Sequence, residues 1–310
     1  MRLIFAGTPD IAVPSLRALA ERHEIVAVVT QPDARGKRGR DLHPSPVKAY
    51  AEEHGWPVLT PARASDPDFV AQIAELDADA AAVVAYGQIL RRDLLDATRL
   101  GWVNLHFSLL PAWRGAAPVQ RAIMAGDEIT GASAFLLDEG MDTGPVIGTM
   151  SERIRFNDTT GTLLERLADA GAPLLVQAIE ALGAGDAAPI PQVEDGVSHA
   201  AKLSREDAYV RWDRPAHVVD RQIRGCTPAP GAWTTLPDGS AMKLGPVRER
   251  ANLPTTVPGQ VALHDGVVTV GTGGNPVALG WVQPAGKGQV DAAAWWRGAR
   301  LGETAVLGDA

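Results

Sequence analysis

The sequence predicts an α/β protein in which a domain with a mostly parallel sheet is followed by a small closed barrel of short strands. At the N-terminus an apolar run ends in Gly7, Ile11, Leu16 and Leu19 follow at helical spacing, and residues 23–30 supply a second apolar run. This strand–helix–strand order is typical of a parallel sheet with helices on both faces. From residue 204 onward, short β-like runs separated by Gly, Pro and Asp-Gly turns indicate the barrel.

The other elements of the first domain follow from apolar periodicity and turn residues. Pro173 should kink or interrupt the last of its helices. We expect strands over 57–59, 80–85, 102–106 and 132–137, helices over 46–54, 66–75, 118–124 and 162–182, and a hairpin-like return over 145–155.

Residues 183–192 are small, contain proline and show no period, so they indicate a domain boundary. We predict a first domain over 1–185, a linker over 186–203 and a second domain over 204–310. Within the second domain we expect a helix over 215–224 and strands over 232–236, 241–244, 259–264, 266–271 and 277–282.

Composition limits the class of protein. The 310 residues, 45% of them hydrophobic, suffice for two domains with separate cores. Cys226 is the only cysteine, which excludes a disulfide framework and a cysteine metal site and fits a reducing compartment. No histidine pair has metal-ligand spacing, so we expect no metal. The N-terminus does not resemble a signal peptide and no apolar run approaches a membrane span, so a soluble cytoplasmic protein is expected.

The charge is unevenly distributed. The net charge is −8, but residues from 204 onward carry 11 basic and 10 acidic side chains and the rest carries −9. Residues 33–48 form a Pro- and Gly-rich loop with a net charge of +3. Such a loop is often merely solvated, but in an acidic domain it favours contact with an RNA backbone.

Candidate catalytic side chains lie near the middle of the chain. Asn104 and His106 alternate with apolar residues, so at a strand period of two they share a face, about 7 Å apart. A turn, Ser108–Pro111, stops the strand. A lone histidine on a strand is often only a satisfied core or surface residue. Downstream, however, Asp142 lies in a glycine-flanked loop after another apolar run, so an amide, an imidazole and a carboxylate are predicted to converge.

Gly7 is followed by Thr-Pro-Asp rather than by a G-x-G-x-x-G pattern. The fingerprint of dinucleotide-binding proteins is therefore absent, and we exclude a nicotinamide or flavin enzyme on this ground.

Several motifs together resemble the folate-dependent formyltransferases, and within them the branch that acts on initiator methionyl-tRNA. The longest is NLHFSLLPAWRGAAPVQRAI, with GMDTG downstream. FAGTPD, QPD…PSPVK, VVAYGQIL and QPAGK extend the similarity over nearly the whole chain. The resemblance implies a Rossmann-like first domain, an OB-like tRNA-binding barrel, and formyl transfer from the co-substrate 10-formyltetrahydrofolate to the methionine α-amino group, without a metal and without an obligate protein partner.

The resemblance also assigns roles to residues. Asn104, His106 and Asp142 would be catalytic. Tyr86, one of the expected folate contacts, could equally be a core aromatic. In the basic loop, Asp41 stands where the family commonly has a basic residue, which weakens the basic patch. The folate contacts would be Tyr86, Gly87, Ser108, Leu109, Leu110, Pro111, Asp138 and Gly140, and the tRNA contacts Arg35, Lys37, Arg38, Arg40, Lys202, Arg224 and Lys287.

Three alternatives share parts of this pattern. A nucleotide-sugar or glycinamide-ribonucleotide formyltransferase would need a phosphate pocket but neither the basic loop nor the barrel. A 10-formyltetrahydrofolate hydrolase would admit water and need no RNA surface. A non-catalytic tRNA-binding protein with a degenerate folate fold would not need Asn104, His106 and Asp142 together.

Overall fold

The computed structural model describes residues 1–35, 41–302 and 304–308. They form two compact units. The N-terminal unit comprises Met1–Pro118, Ile129–Arg153 and Leu164–Ala200, and the C-terminal unit comprises Val119–Glu128, Ile154–Leu163 and Ala201–Ala310. Two short segments within the predicted first domain therefore group with the C-terminal unit.

The N-terminal unit contains a seven-stranded sheet in the order β5-β2-β1-β6-β7-β8-β9. Strands β5, β2, β1, β6 and β7 are parallel, whereas β8 and β9 are antiparallel. A mostly parallel sheet is thus confirmed. Strands β3 and β4 form a separate antiparallel pair. The strands of this unit are β1 (Arg2–Gly7), β2 (Glu24–Val29), β3 (Ala34–Arg35), β4 (Leu42–His43), β5 (Val58–Leu59), β6 (Ala80–Val84), β7 (Trp102–His106), β8 (Ile129–Leu136) and β9 (Val146–Arg153).

The central strands are buried on both faces. All five residues of β6 are buried, as are all residues of β1 except Arg2. Continuous burial is what a parallel sheet flanked by other elements requires. It explains why these strands appear in the sequence as apolar runs and why the polar residues of β7 stand out.

Two helices of this unit begin at a residue whose side chain caps them. The Ser45 side chain accepts a hydrogen bond from the backbone N–H of Lys48, the Asp66 side chain accepts one from Asp68, and proline follows each cap. The helices are α1 (Val13–Ala20), α2 (Pro46–Glu53), α3 (Pro67–Glu75), α4 (Arg92–Leu95), α5 (Pro118–Ala125) and α6 (Thr160–Ala184).

Pro173 does not interrupt its helix, so that part of the expectation is wrong, and a kink at Pro173 stays a prediction. Helix α6 runs continuously for 25 residues with this proline inside it. Leu167, Leu175 and Ile179, on both sides of the proline, are fully buried. Burial of these side chains holds both halves of the helix in place and outweighs the hydrogen bond that the proline cannot make.

Helix α6 is also long and apolar enough, by length and composition alone, to cross a membrane, which the sequence analysis did not anticipate. Core helices of soluble proteins pass the same test. Within its most apolar window, 44% of the helix is buried inside the protein.

The C-terminal unit contains two four-stranded antiparallel sheets, ordered β10-β11-β16-β17 and β12-β15-β14-β13. Their closure into one barrel stays a prediction. Residues 277–282, expected as one strand, form two strands in different sheets with Gly280 between them, and β12, β17 and α8 were not expected. The elements are α7 (Ala216–Gly225), β10 (Trp233–Thr235), β11 (Ala241–Leu244), β12 (Val247–Glu249), β13 (Val261–His264), β14 (Val267–Val270), β15 (Val277–Leu279), β16 (Trp281–Pro284), β17 (Val290–Asp291) and α8 (Ala292–Ala299).

Glycine is needed where the chain changes sheets. A Cβ atom at Gly280 would lie 2.7 Å from the carbonyl oxygen of Pro246, so only glycine fits here without a shift of the backbone. The chain therefore leaves β15 and enters β16 in the other sheet. One core, to which α7 contributes Val219 and Ile223 and α8 contributes Trp295, lies within this unit.

Replacing Pro173 by alanine should stabilise the protein. Pro173 is exposed in the interior of α6, where proline is about 3 kcal/mol less favourable than alanine. The gain should be smaller than this value, because the folded helix has adapted to the proline and because alanine gives the unfolded chain more conformational freedom. We therefore expect the free energy of unfolding to rise by about 1–2 kcal/mol. Urea titration measures it. The matched variant Gln177→Ala, also at an exposed position of α6, should change stability by less than about 0.5 kcal/mol, and an unchanged or lower stability of Pro173→Ala would contradict the prediction.

Candidate active site

Strand β7 positions an amide and an imidazole side by side. It is paired on one side with the parallel strand β6, through Val83 and Asn104, and on the other with the antiparallel strand β8, through His106 and Ser133. His106 is 7% exposed and Asn104 is half-buried. No described residue forms a hydrogen bond with the Asn104 side chain. Its N–H donors are therefore available to a ligand, whereas the imidazole is held by protein.

The turn after β7 is fixed by hydroxyl groups. The Ser108 hydroxyl donates to the carbonyl oxygen of Ala112 at 2.6 Å. Ser133 on β8 donates to the Ser108 carbonyl oxygen at 2.7 Å and accepts from the Leu110 N–H at 3.1 Å. Ser108 is fully buried. Its side chain thus shapes the turn, whereas Leu109, Leu110 and Pro111 are half-buried, and their contact with folate stays a prediction.

The imidazole of His106 lies between a carbonyl and a carboxylate. Its Nε2 is 2.9 Å from the Trp113 carbonyl oxygen, which can only accept, so this nitrogen carries a proton. Its Nδ1 is 3.7 Å from Oδ2 of Asp142, close enough for charge attraction but too far for a hydrogen bond. A proton added at Nδ1 would face the carboxylate. A positive charge on the ring would therefore lie beside a carboxylate.

The Asp142 carboxylate is oriented by a backbone donor. The N–H of Gly115 donates to Oδ2 at 2.7 Å. The Asp142 backbone has a φ of +55°, a left-handed conformation that aspartate tolerates better than most residues. The structure thus brings His106 and Asp142 together as predicted, while the catalytic roles of Asn104, His106 and Asp142 stay predictions.

The loop before Asp142 closes on its own polar groups. Oδ1 of Asp138 accepts from the Gly140 N–H at 3.0 Å and from the Thr143 hydroxyl at 2.7 Å. Asp138 and Gly140 are exposed. Their predicted contact with folate is open to a ligand, although this oxygen of Asp138 already has two donors.

Tyr86 lies in the core, which favours the alternative role considered for it. The residue is 3% exposed and packs in the apolar cluster with Phe69 and Leu90. Its hydroxyl has no hydrogen-bond partner among the described residues, and burial raises the pKa of Tyr86 to about 12, so the phenol stays neutral. The neighbouring Gly87 is exposed, with a φ of +89°. Backbone at this strand exit is thus better placed than the Tyr86 ring to contact folate.

The base of the basic loop is held by an ion pair. Nζ of Lys48 is 2.8 and 2.9 Å from the two carboxylate oxygens of Asp33, and this hydrogen bonding raises the pKa of Lys48. Arg35 on β3 is exposed. Lys37, Arg38 and Arg40 lie outside the described residues.

Of the three cations predicted for the C-terminal unit, Lys202 and Lys287 are exposed and Arg224 is not. Arg224 is 8% exposed, and its guanidinium donates to Asp220 at 2.8 Å and to the Asp158 carbonyl oxygen at 2.9 Å. Because these contacts occupy the guanidinium inside the unit, the structure argues against a direct phosphate contact by Arg224. Lys287 borders a surface cavity of about 670 Å³.

The sequence did not single out Gln192, which contacts the Asp142 loop, or Arg114, which contacts Gln192. Arg114 belongs to the turn after β7 and is 7% exposed. Gln192 belongs to the segment predicted as a linker and donates to the carbonyl oxygen of Asp142 at 2.8 Å. No periodic pattern marks either residue as functional. Among the described residues, no cluster of three or more His, Cys, Asp or Glu side chains could hold a metal ion.

Replacing Arg224 by glutamine should destabilise the C-terminal unit. The change leaves Asp220 without its cation, and burial already raises the pKa of Asp220. Removing one partner of a buried pair typically costs about 3–5 kcal/mol. The loss should shrink as the pH falls, because Asp220 then takes up a proton in the folded state.

Urea titrations at neutral and acidic pH measure this loss. Arg211→Gln is the matched control, because Arg211 pairs with Asp213 on the surface and both side chains are more than half exposed. It should change stability by less than about 0.5 kcal/mol. Equal stabilities for the two variants would return Arg224 to the set of RNA-contact candidates.

Comparison with known proteins agrees with the geometry. Residues 1–179 match the model of the formyl transferase family, and residues 202–300 match that of its C-terminal domain. A methionyl-tRNA formyltransferase from Rhodococcus erythropolis is 56% identical over 303 residues, covering 97% of this chain and 98% of the relative. One from Thermobifida fusca is 55% identical over 310 residues, covering 100% of both.

Two solved structures share the fold at low sequence identity. HypX from Aquifex aeolicus, in complex with tetrahydrofolic acid, has a TM-score of 0.65 at 19% identity over 94% of this chain, which spans 46% of HypX. An N-formyltransferase from Helicobacter canadensis, in complex with folinic acid and dTDP-3-aminofucose, has a TM-score of 0.63 at 18% identity over 91% of this chain and 98% of its own. With both family models matched and relatives similar over their full length, the chain belongs to the formyl transferase family.

Proposed function

We propose that this chain transfers the formyl group of 10-formyltetrahydrofolate to the α-amino group of methionyl-initiator tRNA, giving N-formylmethionyl-tRNA for translation initiation. The observation that carries the proposal is the His106–Asp142 pair beside an unengaged Asn104 amide, in a chain whose full-length relatives are named methionyl-tRNA formyltransferase. The partners are charged tRNA and the folate co-substrate. We place the reaction in the cytoplasm.

The amine needs little activation. An α-amino group has a pKa of about 7.7–8, so an appreciable fraction is an unprotonated nucleophile at neutral pH. Its nitrogen attacks the formyl carbon, the carbonyl oxygen gains negative charge, and the bond between that carbon and the folate nitrogen breaks. The half-buried Asn104 amide can donate to the developing charge, because no described residue occupies its N–H groups. A donor of this kind is typically worth about 10²–10³ in rate.

Proton transfer falls to His106 and Asp142. The attacking nitrogen loses a proton and the leaving nitrogen gains one, so the reaction needs a group that can receive and return it. His106 already carries a proton on Nε2, bonded to the Trp113 carbonyl, and its Nδ1 faces the Asp142 carboxylate. The carboxylate stabilises the charged ring while the proton is held.

The tRNA contacts proposed in the N-terminal unit are the cations of the basic loop, Arg35, Lys37, Arg38 and Arg40. Those proposed in the C-terminal unit are Lys202 and Lys287. The described members, Arg35, Lys202 and Lys287, are exposed. Arg224 is left out because its guanidinium is buried and paired. A formyltransferase for amino sugars or glycinamide ribonucleotide, or a formyltetrahydrofolate hydrolase, would use the same His106–Asp142 pair but would not need these cations.

The first test replaces His106 by alanine and measures formyl transfer to charged initiator tRNA. Loss of a general acid–base group should lower kcat by about 10²–10⁴. The exposed His217 provides the control, and His217→Ala should keep its turnover. Normal turnover in His106→Ala would remove this imidazole from the mechanism. In the wild-type protein, formate release without tRNA, or formyl transfer only to an amino sugar, would replace the proposed function by one of the alternatives.

The second test neutralises the loop with the double change Lys37→Gln and Arg38→Gln. We expect a higher KM for tRNA, an unchanged KM for folate, and a weaker salt dependence, because each lost phosphate contact lowers the logarithmic salt slope by up to about one. Arg17→Gln, at an exposed position of α1, makes the same kind of charge change outside the loop. A salt slope that is the same in the double variant and in the wild type would mean that the loop is only solvated.

A further inference from the structure

We propose that Gln192 and Arg114 are positioning residues. They hold the turn with Trp113 and the loop with Asp142, whose carbonyl and carboxylate face the His106 imidazole. The segment predicted as a linker, which contains Gln192, is then part of the active site. The kinetic consequence rests on the proposed function, whereas the geometry does not. All residues involved belong to the N-terminal unit.

The Gln192 amide uses its full hydrogen-bonding capacity at the Asp142 loop. Its Nε2 donates to the carbonyl oxygens of Asp142 and Gly144, each at 2.8 Å. Its Oε1 accepts from Nε and Nη2 of Arg114 at 2.9 and 2.8 Å. Two donors and two lone pairs are all that this side chain offers. Carbonyl oxygens accept and a guanidinium donates, so the amide has one orientation that satisfies every partner.

Arg114 is an unusual partner for an amide. Arginine is seldom buried unless it is paired, yet Arg114 is 7% exposed and forms no ion pair with any described carboxylate. Its guanidinium instead binds the Gln192 carbonyl oxygen through two N–H groups. A cation at that oxygen polarises the amide and strengthens donation by its nitrogen. The positive charge of Arg114 thus strengthens the hydrogen bonds that Gln192 donates to the backbone of the Asp142 loop.

The Asp142 backbone needs this support. Its left-handed conformation, with a φ of +55°, costs of the order of 1 kcal/mol for a residue other than glycine and persists only where surroundings fix it. Gln192 holds the Asp142 carbonyl, and the Gly115 N–H holds the carboxylate. Together they fix both ends of the residue, which directs Oδ2 toward Nδ1 of His106.

The same segment also holds the other side of the imidazole. Ser198 accepts from the Trp113 N–H through its hydroxyl oxygen and from the Arg114 N–H through its carbonyl oxygen, both at 2.9 Å. The N–H of Ala200 donates to the Arg114 carbonyl oxygen at 2.7 Å. Trp113, whose carbonyl accepts the hydrogen bond from Nε2–H of His106, itself has a left-handed backbone, with a φ of +60°. Residues 192–200 therefore anchor both neighbours of the catalytic ring.

These contacts predict an effect on turnover rather than on binding. All described bonds of Gln192 go to protein groups, so its loss should not remove a substrate contact. A misplacement of a reacting group by about 1 Å can cost about 10² in rate. For Gln192→Met, which keeps the length of the side chain but none of its hydrogen bonds, we expect kcat to fall about 10- to 100-fold. The KM values for tRNA and folate should stay within about threefold of the wild-type values, because the change removes no contact that binds the substrates before they react.

Gln222 offers a matched control in the C-terminal unit. Its Nε2 donates to the carbonyl oxygens of Asp207 and Tyr209 at 2.9 and 2.8 Å, so Gln222→Met removes an equivalent pair of bonds. This variant should keep kcat at saturating substrate. A loss of turnover equal to that of Gln192→Met would show that the effect reports general destabilisation, and it would overturn the proposal.

A second variant separates positioning from stability. Glutamate at position 192 can still bind the Arg114 guanidinium but cannot donate to the Asp142 and Gly144 carbonyls. Gln192→Glu should therefore recover thermal stability relative to Gln192→Met while kcat stays low. Full turnover in Gln192→Glu would mean that only pairing of Arg114 matters, which contradicts the positioning role. This variant also carries the test if Gln192→Met does not fold.

The ¹⁵N chemical shifts of the His106 imidazole, at one pH, give a readout that does not depend on activity. They should change in Gln192→Met and stay constant in Gln222→Met, because only the first change loosens the Asp142 backbone that positions the carboxylate facing the ring. If wild-type protein fails to formylate charged initiator tRNA, the proposed function fails while these shifts still test the positioning. If the wild type is active and Gln192→Met leaves both kcat and the shifts unchanged, the positioning is refuted.

Discussion

The active site depends on one imidazole held between two acceptors. The Trp113 carbonyl accepts a hydrogen bond from Nε2–H of His106, and the Asp142 carboxylate faces Nδ1 without forming a hydrogen bond to it. The neutral ring satisfies only the first acceptor, whereas a protonated ring would also place a positive charge beside the carboxylate. In the proposed formyl transfer, this charge would arise while a proton passes from the attacking nitrogen to the leaving nitrogen. Both acceptors sit on left-handed backbone, a conformation that the surrounding hydrogen bonds must maintain.

The sheet supplies the rigidity that this arrangement needs. Strand β7 lies where the sheet changes from parallel to antiparallel pairing, with β6 on one side and β8 on the other. The parallel side buries the strand, and the antiparallel side brings the Ser133 hydroxyl to the turn that follows. His106 thus projects from a fixed strand end, while Trp113 and Asp142 approach it on loops. Precision at the ring then depends on what holds those loops.

The contrast between the strand that carries His106 and the loops that approach it explains what could be predicted from the sequence. Alternation of polar and apolar residues gave strand β7 with its observed bounds, Trp102–His106, because burial imposes a period of two. Gln192 left no such trace, because its partners are backbone carbonyls about fifty residues earlier in the chain and any residue provides those. Arg224 is buried, although a cation in a sequence is usually exposed. The available signal was Asp220, one helical turn earlier, which is the partner that allows its burial.

The chemistry at position 192 also favours an amide over the carboxylate that a buried arginine would ordinarily have. A carboxylate there would neutralise Arg114 but would repel the Asp142 and Gly144 carbonyl oxygens, both of which now lie 2.8 Å from a donor. It would also add a second negative charge beside the Asp142 loop and compete with Asp142 for nearby positive charge. The amide avoids both effects. It satisfies the guanidinium with a neutral acceptor, and the Asp142 carboxylate is left to face the imidazole.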